Sequence, residues 1–199
     1  MVKVGITGGI GSGKSTISEI FKLLKIPVFH ADLEARHLQN NDINIKTLIC
    51  NLLGSTSYTS DGILDRQKVA AIIFNDKNKL ASMNKIIHPA VKLRFLEWCL
   101  KYQDKPYILY EAAILLESGQ SKDFDQIILV LADEKTRISR IVKRDLTNEI
   151  HIKQRISNQM ADFEKVILAD YIIENNENSL LIPQILKIDQ QIREYGKTR

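Results

Sequence analysis

Cysteine is scarce in this chain of 199 residues: there are two, Cys50 and Cys99. They stand far apart, in no metal-ligand or redox spacing, so a disulfide framework and a cysteine-built metal centre are excluded. Both lie in apolar, helix-like stretches and are expected to be buried free thiols, which suits a reducing compartment. Long apolar runs are also lacking. None approaches the roughly 20 residues that a membrane-spanning helix needs. The opening Met1-Val2-Lys3-Val4-Gly5-Ile6 meets glycine before the hydrophobic stretch of a secretory signal is reached. A cytoplasmic protein with no membrane partner is expected. There is no repeat, no low-complexity tract and no dominant Lys/Arg block. The net charge of +4 is therefore read as scattered side chains that hold an anionic small substrate, not as a nucleic-acid surface.

The rest of the composition is that of a globular protein, with 44% hydrophobic and 26% charged residues. One domain with a subdomain inserted into it accounts for the length. Val2 to Ile6 reads as a short buried strand. A Gly-rich loop follows, then a helix from about Lys14, with Ile17, Ile20, Phe21 and Leu24 on one face. Pro27-Val28-Phe29 reads as a second strand. The span 32–103 shows only helical patterns. Its stripes are Leu48/Ile49/Leu52/Leu53, Val69/Ile72/Ile73, Leu80/Met83/Ile86/Ile87 and, starting anew after His88-Pro89, Phe95/Leu96/Cys99/Leu100. About seventy residues is too long for one crossover, so this span reads as a helical insert. Strands resume at Tyr107–Tyr110 and Ile127–Leu131. These are continuous apolar runs, as in parallel strands covered on both faces. A helix capped by Asp133 comes next, then a polar stretch from Asp145 to Lys165 that reads as a helical flap. A last strand at Tyr171–Ile173 precedes an amphipathic C-terminal helix. Strand–helix alternation of this kind predicts an α/β fold with a parallel sheet.

The strongest chemical signal is Gly8-Gly9-Ile10-Gly11-Ser12-Gly13-Lys14-Ser15, which fits G-x-x-x-x-G-K-[ST] between a strand and a helix. Glycines let backbone N–H groups turn inward around an anion, and the helix N-terminus adds a positive dipole end. Gly8, Gly11, Ser12, Gly13, Lys14, Ser15 and Thr16 are the expected nucleotide contacts. Lys14 is expected to reach the β- and γ-phosphates of ATP, and the Ser15 hydroxyl to ligate Mg2+. Such a loop serves kinases, switches and motors alike. A guanine switch would carry Asn-Lys-x-Asp, and Asn78-Lys79-Leu80-Ala81 and Asn84-Lys85-Ile86-Ile87 both lack its Asp.

Two further features bear on the reaction. Asp32 follows the second strand, where a carboxylate can take a proton from an attacking hydroxyl or cap the helix beginning at Leu33. Arg137, Arg140 and Arg144 share a helix face. That face is either a solvated basic surface or a set of guanidinium groups for a phosphoryl group in transfer. Beside a phosphate loop the second reading is the stronger one.

Taken together, these residues resemble the dephospho-coenzyme A kinase family over nearly the whole chain. The phosphate loop flanked by Thr7 and Thr16 is similar to the family's opening. Ala31-Asp32, Asp61-Gly62-Ile63-Leu64-Asp65-Arg66 with Ile73-Phe74, and Ile86-Ile87-His88-Pro89 are similar to its middle motifs. Arg140 with Arg144-Asp145, Arg155-Ile156-Ser157-Asn158-Gln159, and Ala169 to Asn176 are similar to its final ones. The resemblance implies a P-loop NTPase three-layer sandwich in three parts. Residues 1–31 with 104–144 and 166–199 form the nucleotide core, 32–103 a helical substrate-binding domain and 145–165 a lid. It implies transfer of the γ-phosphoryl group of ATP to the ribose 3′-hydroxyl of dephospho-coenzyme A in coenzyme A biosynthesis. Asp32 would be the general base, Lys14 and Arg140 would stabilise the moving group, and His88, Arg144 and Arg155 would bind substrate. His30 stands where the family usually has Asp, and Ala113 where it has Pro. Glu117 keeps the acid of that loop, and Glu111 takes an acidic strand-end position near the metal. The alternatives are another small-molecule P-loop kinase, such as one acting on nucleoside monophosphates, and a non-catalytic nucleotide-binding regulator.

Overall fold

In the computed structural model, residues 1–74, 76–145 and 148–198 are described. Asn75, Leu146, Thr147 and Arg199, each inside a span assigned above, lie outside the described residues. The chain divides into two compact units: Met1–His30 with Tyr102–Arg199, and Ala31–Lys101.

The first unit holds a sheet of five parallel strands in the order β2-β3-β1-β4-β5. They are β1 Val2–Gly8, β2 Val28–His30, β3 Tyr107–Glu111, β4 Gln126–Leu131 and β5 Tyr171–Glu174. Burial on both faces explains why β1, β3 and β4 read as unbroken apolar runs. Alternation divides their side chains between the two faces. Val2, Val4, Ile6, Tyr107, Leu109, Ile128 and Val130 join one cluster with Ile17 and Phe21 of helix α1 (Lys14–Leu23). Ile185, Ile188 and Ile192 of the C-terminal helix α9 (Leu181–Lys197) complete that cluster. The Tyr107 hydroxyl, carried inside this layer, donates to Asp189 of α9 at 2.7 Å. A buried phenol needs such an acceptor. On the opposite face Gly5 lies against Leu115, Ile127 and Phe124, so closely that a Cβ there would collide with Leu115.

The second unit is helical: α2 Ala31–Asn41, α3 Ile43–Leu53, α4 Arg66–Phe74 and α5 Lys77–Cys99. Two details differ from expectation. First, α5 runs straight through Pro89 instead of restarting after it. Its buried residues Met83, Ile87, Val91, Phe95 and Cys99 recur every fourth position across the proline. One continuous apolar face thus outweighs the single backbone hydrogen bond that proline removes. Second, α2 already begins at Ala31, so Asp32 lies inside its first turn and is not the cap before it. Between α3 and α4, the segment carrying Asp61 to Arg66 is tied down by side chains. The Tyr58 hydroxyl donates to the Gln39 carbonyl at 2.9 Å, and Asn40 Oδ1 accepts from Leu64 N–H at 3.0 Å. Burial pushes the Tyr58 phenol up to about 12. Cys99 is buried as expected, whereas Cys50 is only half-buried.

Helices α6 Glu134–Asp145, α7 Glu149–Ser157 and α8 Asp162–Leu168 belong to the first unit. The cap read at Asp133 is present: its carboxylate accepts from Thr136 N–H at 2.7 Å and from the Thr136 hydroxyl at 2.8 Å. Those bonds hold the carboxyl below its ordinary range. Among the described residues no helix is long and apolar enough to cross a membrane.

The contact at Gly5 sets a test. Gly5→Val would force Leu115 and Ile127 out of position and should destabilise the fold by about 1–3 kcal/mol. The check is a urea titration, and an unshifted midpoint would mean that this face accommodates the added atoms.

Candidate active site

Parallel strands place their C-terminal ends on one rim, where α/β sheets take ligands. Gly8, His30 and Glu111 end β1, β2 and β3, and His30 pairs in register with Glu111. The loop from Gly8 to Lys14 lies on this rim and turns directly into α1. Gly13, just before the helix, has φ 91°, and a Cβ on it would collide with Asn175. Glycine is thus required there for both backbone angle and space. Lys14 is buried, and its ammonium donates to the Gly8 carbonyl at 2.8 Å and the Gly9 carbonyl at 3.2 Å. The cation is folded over the loop whose anion it is expected to meet.

Glu111, mostly buried, connects two elements through its two oxygens. Oε1 accepts from the Ser15 hydroxyl at 2.8 Å, and Oε2 meets His30 Nδ1 at 2.6 Å. With Glu111 ionised, the His30 Nδ1–H is the donor. The Ser15 proton is committed to Glu111, which leaves that hydroxyl's lone pairs for another partner. A serine oxygen beside a carboxylate suits a hard cation such as Mg2+, which takes one or two protein oxygens and fills its octahedron with water and phosphate oxygens. Among the described residues there is no cluster of three or more His, Cys, Asp or Glu side chains that would build a dedicated metal cage.

Arg140 joins the loop from α6. Its guanidinium donates to the Asn175 carbonyl at 2.9 Å and, more weakly, to the Ser12 carbonyl at 3.4 Å. Asn175, buried just beyond β5, donates its amide to the same Ser12 carbonyl at 2.7 Å. Its neighbour Asn176 accepts from Asp133 N–H at 2.9 Å and so fixes the start of α6. The structure therefore gathers Gly8, Gly11, Ser12, Gly13, Lys14, Ser15, Thr16 and Arg140 in one place. Arg144 and Arg155 form a separate, exposed group around Asp145. Arg144 grips that carboxylate with two bonds, at 2.6 and 3.1 Å, and Arg155 approaches it at 3.5 Å. The Arg144 hydrogen bond holds the Asp145 carboxyl below its ordinary range. Asp32 and His88 belong to the second unit, Asp32 two residues past the end of β2 and His88 on α5. Burial lowers the pKa of His88.

Several side chains have a place that their sequence patterns did not reveal. Arg137, read with Arg140 and Arg144 as one face, is buried, lies against Gly9 and pairs with Asp162 at 3.4 Å. Glu117, the acid of the loop after β3, pairs with the fully buried Lys165 at 3.1 Å and accepts from Met160 N–H at 3.3 Å. Gln159 Oε1 accepts from Ile10 N–H, at the tip of the phosphate loop, at 2.8 Å. Gln159 and Asn175 both stood inside recognisable motifs, which was the only signal available for them. Their partners are more than a hundred residues away.

Comparison with known proteins identifies the family. The family model described as dephospho-CoA kinase matches residues 2–180. A dephospho-CoA kinase of Bacteroides fragilis (strain YCH46) is 38% identical over 187 residues, which cover 94% of this chain and 91% of that protein. One from Porphyromonas gingivalis is 37% identical, with 97% and 95% covered. The crystal structure of TT1252 from Thermus thermophilus superposes with a TM-score of 0.84 at 27% identity, covering 96% of each chain. A phosphate loop braced by α6 and β5, inside a match that runs almost the full length of the chain, places this protein in the dephospho-CoA kinase family.

Proposed function

We propose that this chain transfers the γ-phosphoryl group of ATP to the ribose 3′-hydroxyl of dephospho-coenzyme A, giving coenzyme A and ADP. The observation that carries the reading is the family match over residues 2–180, which includes the complete phosphate loop. The backbone N–H groups of residues 11–16 hold the phosphates. On ATP binding, Lys14 exchanges the Gly8 and Gly9 carbonyls for phosphate oxygens. Arg140, anchored at Asn175, presents its guanidinium to the charge that spreads over the moving group. Ser15, oriented by Glu111, would hold Mg2+, which would supply charge neutralisation for the phosphates. Asp32 accepts the proton of the acceptor hydroxyl as its oxygen bonds to phosphorus. The bond from phosphorus to the β–γ bridging oxygen breaks, and that oxygen leaves with ADP. His88, Arg144 and Arg155 bind substrate anions, and the span 145–165 acts as the lid that excludes water.

The roles proposed for Asp32 and Arg140 are those of a kinase: a nucleotide-binding regulator needs no base for an acceptor hydroxyl and no guanidinium for a transferring group. A nucleoside monophosphate kinase needs both, so acceptor dependence separates the two kinases. ADP release should require dephospho-coenzyme A and should not be supported by AMP, CMP or shikimate. Equal rates with any of these would overturn the substrate assignment.

Asp32→Asn should leave ATP affinity near that of the wild type and lower turnover by about 10²–10⁴-fold. Retained turnover would reduce Asp32 to a residue of the α2 first turn. Glu111→Gln should weaken the apparent affinity for Mg2+ in the presence of ATP. Titration with Mn2+, read by electron paramagnetic resonance, checks this independently of activity, and an unchanged binding curve would separate Glu111 from the metal.

A further inference from the structure

The tip of the phosphate loop is Ile10, flanked by Gly9 and Gly11. Within the loop, the carbonyl side of the Gly9–Ile10 peptide accepts from Ser12 N–H at 3.1 Å and from Lys14 at 3.2 Å, and its N–H side is left for contacts with other parts of the chain. Those contacts are present on three sides. Gln159 Oε1 accepts from Ile10 N–H at 2.8 Å. The Arg137 guanidinium lies so close to Gly9 that a Cβ would collide with it, and the Arg137 carbonyl would be 2.8 Å from a Cβ on Gly11. Arg137 therefore brackets the Ile10 peptide from both sides, and Gln159 closes the third.

The segment carrying Gln159 is itself fastened. Met160 N–H donates to Glu117, and Lys165, fully buried, pairs with the same Glu117 oxygen. Asp162 pairs with Arg137, whose Nε–H has no hydrogen-bond partner among the described residues. A buried guanidinium with one ion pair and one unsatisfied donor is costly, and removing its partner costs more. Ile10, Gln159, Glu117, Lys165, Asp162 and Arg137 thus form a closed ring around the tip, contributed by four separate stretches of chain.

We infer that residues 159–165, the fastened end of the span proposed as the lid, are a strap that holds the phosphate loop in its anion-binding conformation, with Gln159 the positioning residue for the Ile10 peptide. Gln159 does not touch phosphate. Its amide oxygen keeps Ile10 N–H turned away from the cradle, and this fixes the direction of the peptide groups that follow. The inference rests on the reading of residues 8–15 as an ATP site but not on the identity of the acceptor. It also ties ATP affinity to α7, because the strap begins two residues after that helix ends.

The test is nucleotide binding by the full chain. Gln159→Met keeps the length of the side chain and removes the acceptor. It should raise the Kd for Mg-ATP, measured by calorimetry, by roughly two- to ten-fold, the range expected for one lost hydrogen bond. The KM for ATP should rise by the same factor, and the KM for dephospho-coenzyme A by less than two-fold. Hydrogen exchange at the Ile10 amide should speed up in Gln159→Met and stay slow in Gln159→Glu, which keeps an acceptor. Asp162→Asn loosens the other fastening and should raise the Kd in the same direction with Gln159 intact; it serves as the test if Gln159→Met does not fold. An unchanged Kd with a deprotected Ile10 amide would overturn the strap, as would a rise in both KM values together. Failure of the wild-type chain to bind Mg-ATP would overturn the phosphate-loop reading itself, and the strap with it.

Discussion

A backbone that turns its N–H groups inward around phosphate turns carbonyls outward, and those carbonyls need donors of their own. Much of the first unit is organised by this requirement. The Ser12 carbonyl receives the Asn175 amide and the Arg140 guanidinium. The Gly8 and Gly9 carbonyls receive the Lys14 ammonium. Asn175 is in turn placed by its own N–H bond to Leu131 at the end of β4, at 2.7 Å. The anion site is therefore a property of the β1 loop, the end of β5 and α6 together, and the loop's residues alone do not define it. Close backbone approach explains the glycines as well, since at Gly9 and Gly13 a side chain would occupy space that Arg137 and Asn175 already fill.

Glu111 imposes a second constraint, on the neighbouring strand end. One carboxylate serves α1 through Ser15 and β2 through His30, so three elements share its geometry. At His30, where the family resemblance led to the expectation of an acid, the structure has an imidazole that stands beside the Glu111 carboxylate without adding negative charge. A second acid at that distance from Glu111 would raise the cost of ionising both.

What was legible in the sequence followed the range of the interactions. Strands, α1, the phosphate loop and the Asp133 cap rest on neighbours a few residues apart, and each stands where the pattern placed it. The buried face of α5 was harder to read, because Pro89 suggests a break. Only the unbroken recurrence of Met83, Ile87, Val91, Phe95 and Cys99 shows why the helix continues. The Arg137 guanidinium read as one member of a charged stripe, since burial of a single arginine is decided by Asp162 and Gly9, far away in sequence. Glu117 read as an acid kept for the site, and its pairing with Lys165 could not be anticipated from spacing. Patterns of local period thus located the machinery, whereas the bonds that hold it rigid join residues that no local pattern relates.

The contribution of α9 to the central cluster bears on how the protein is made. Unit two is one continuous stretch, Ala31–Lys101, whereas unit one is assembled from the chain on either side of it. During synthesis the helical unit has all its partners early. The sheet's apolar layer must wait for Ile185, Ile188 and Ile192, and until they emerge from the ribosome that cluster is incomplete. Larger chains are most prone to aggregate while such surface is exposed. A nascent chain stalled before α9 would therefore carry a finished helical unit and an open sheet, and would be a natural client for chaperones.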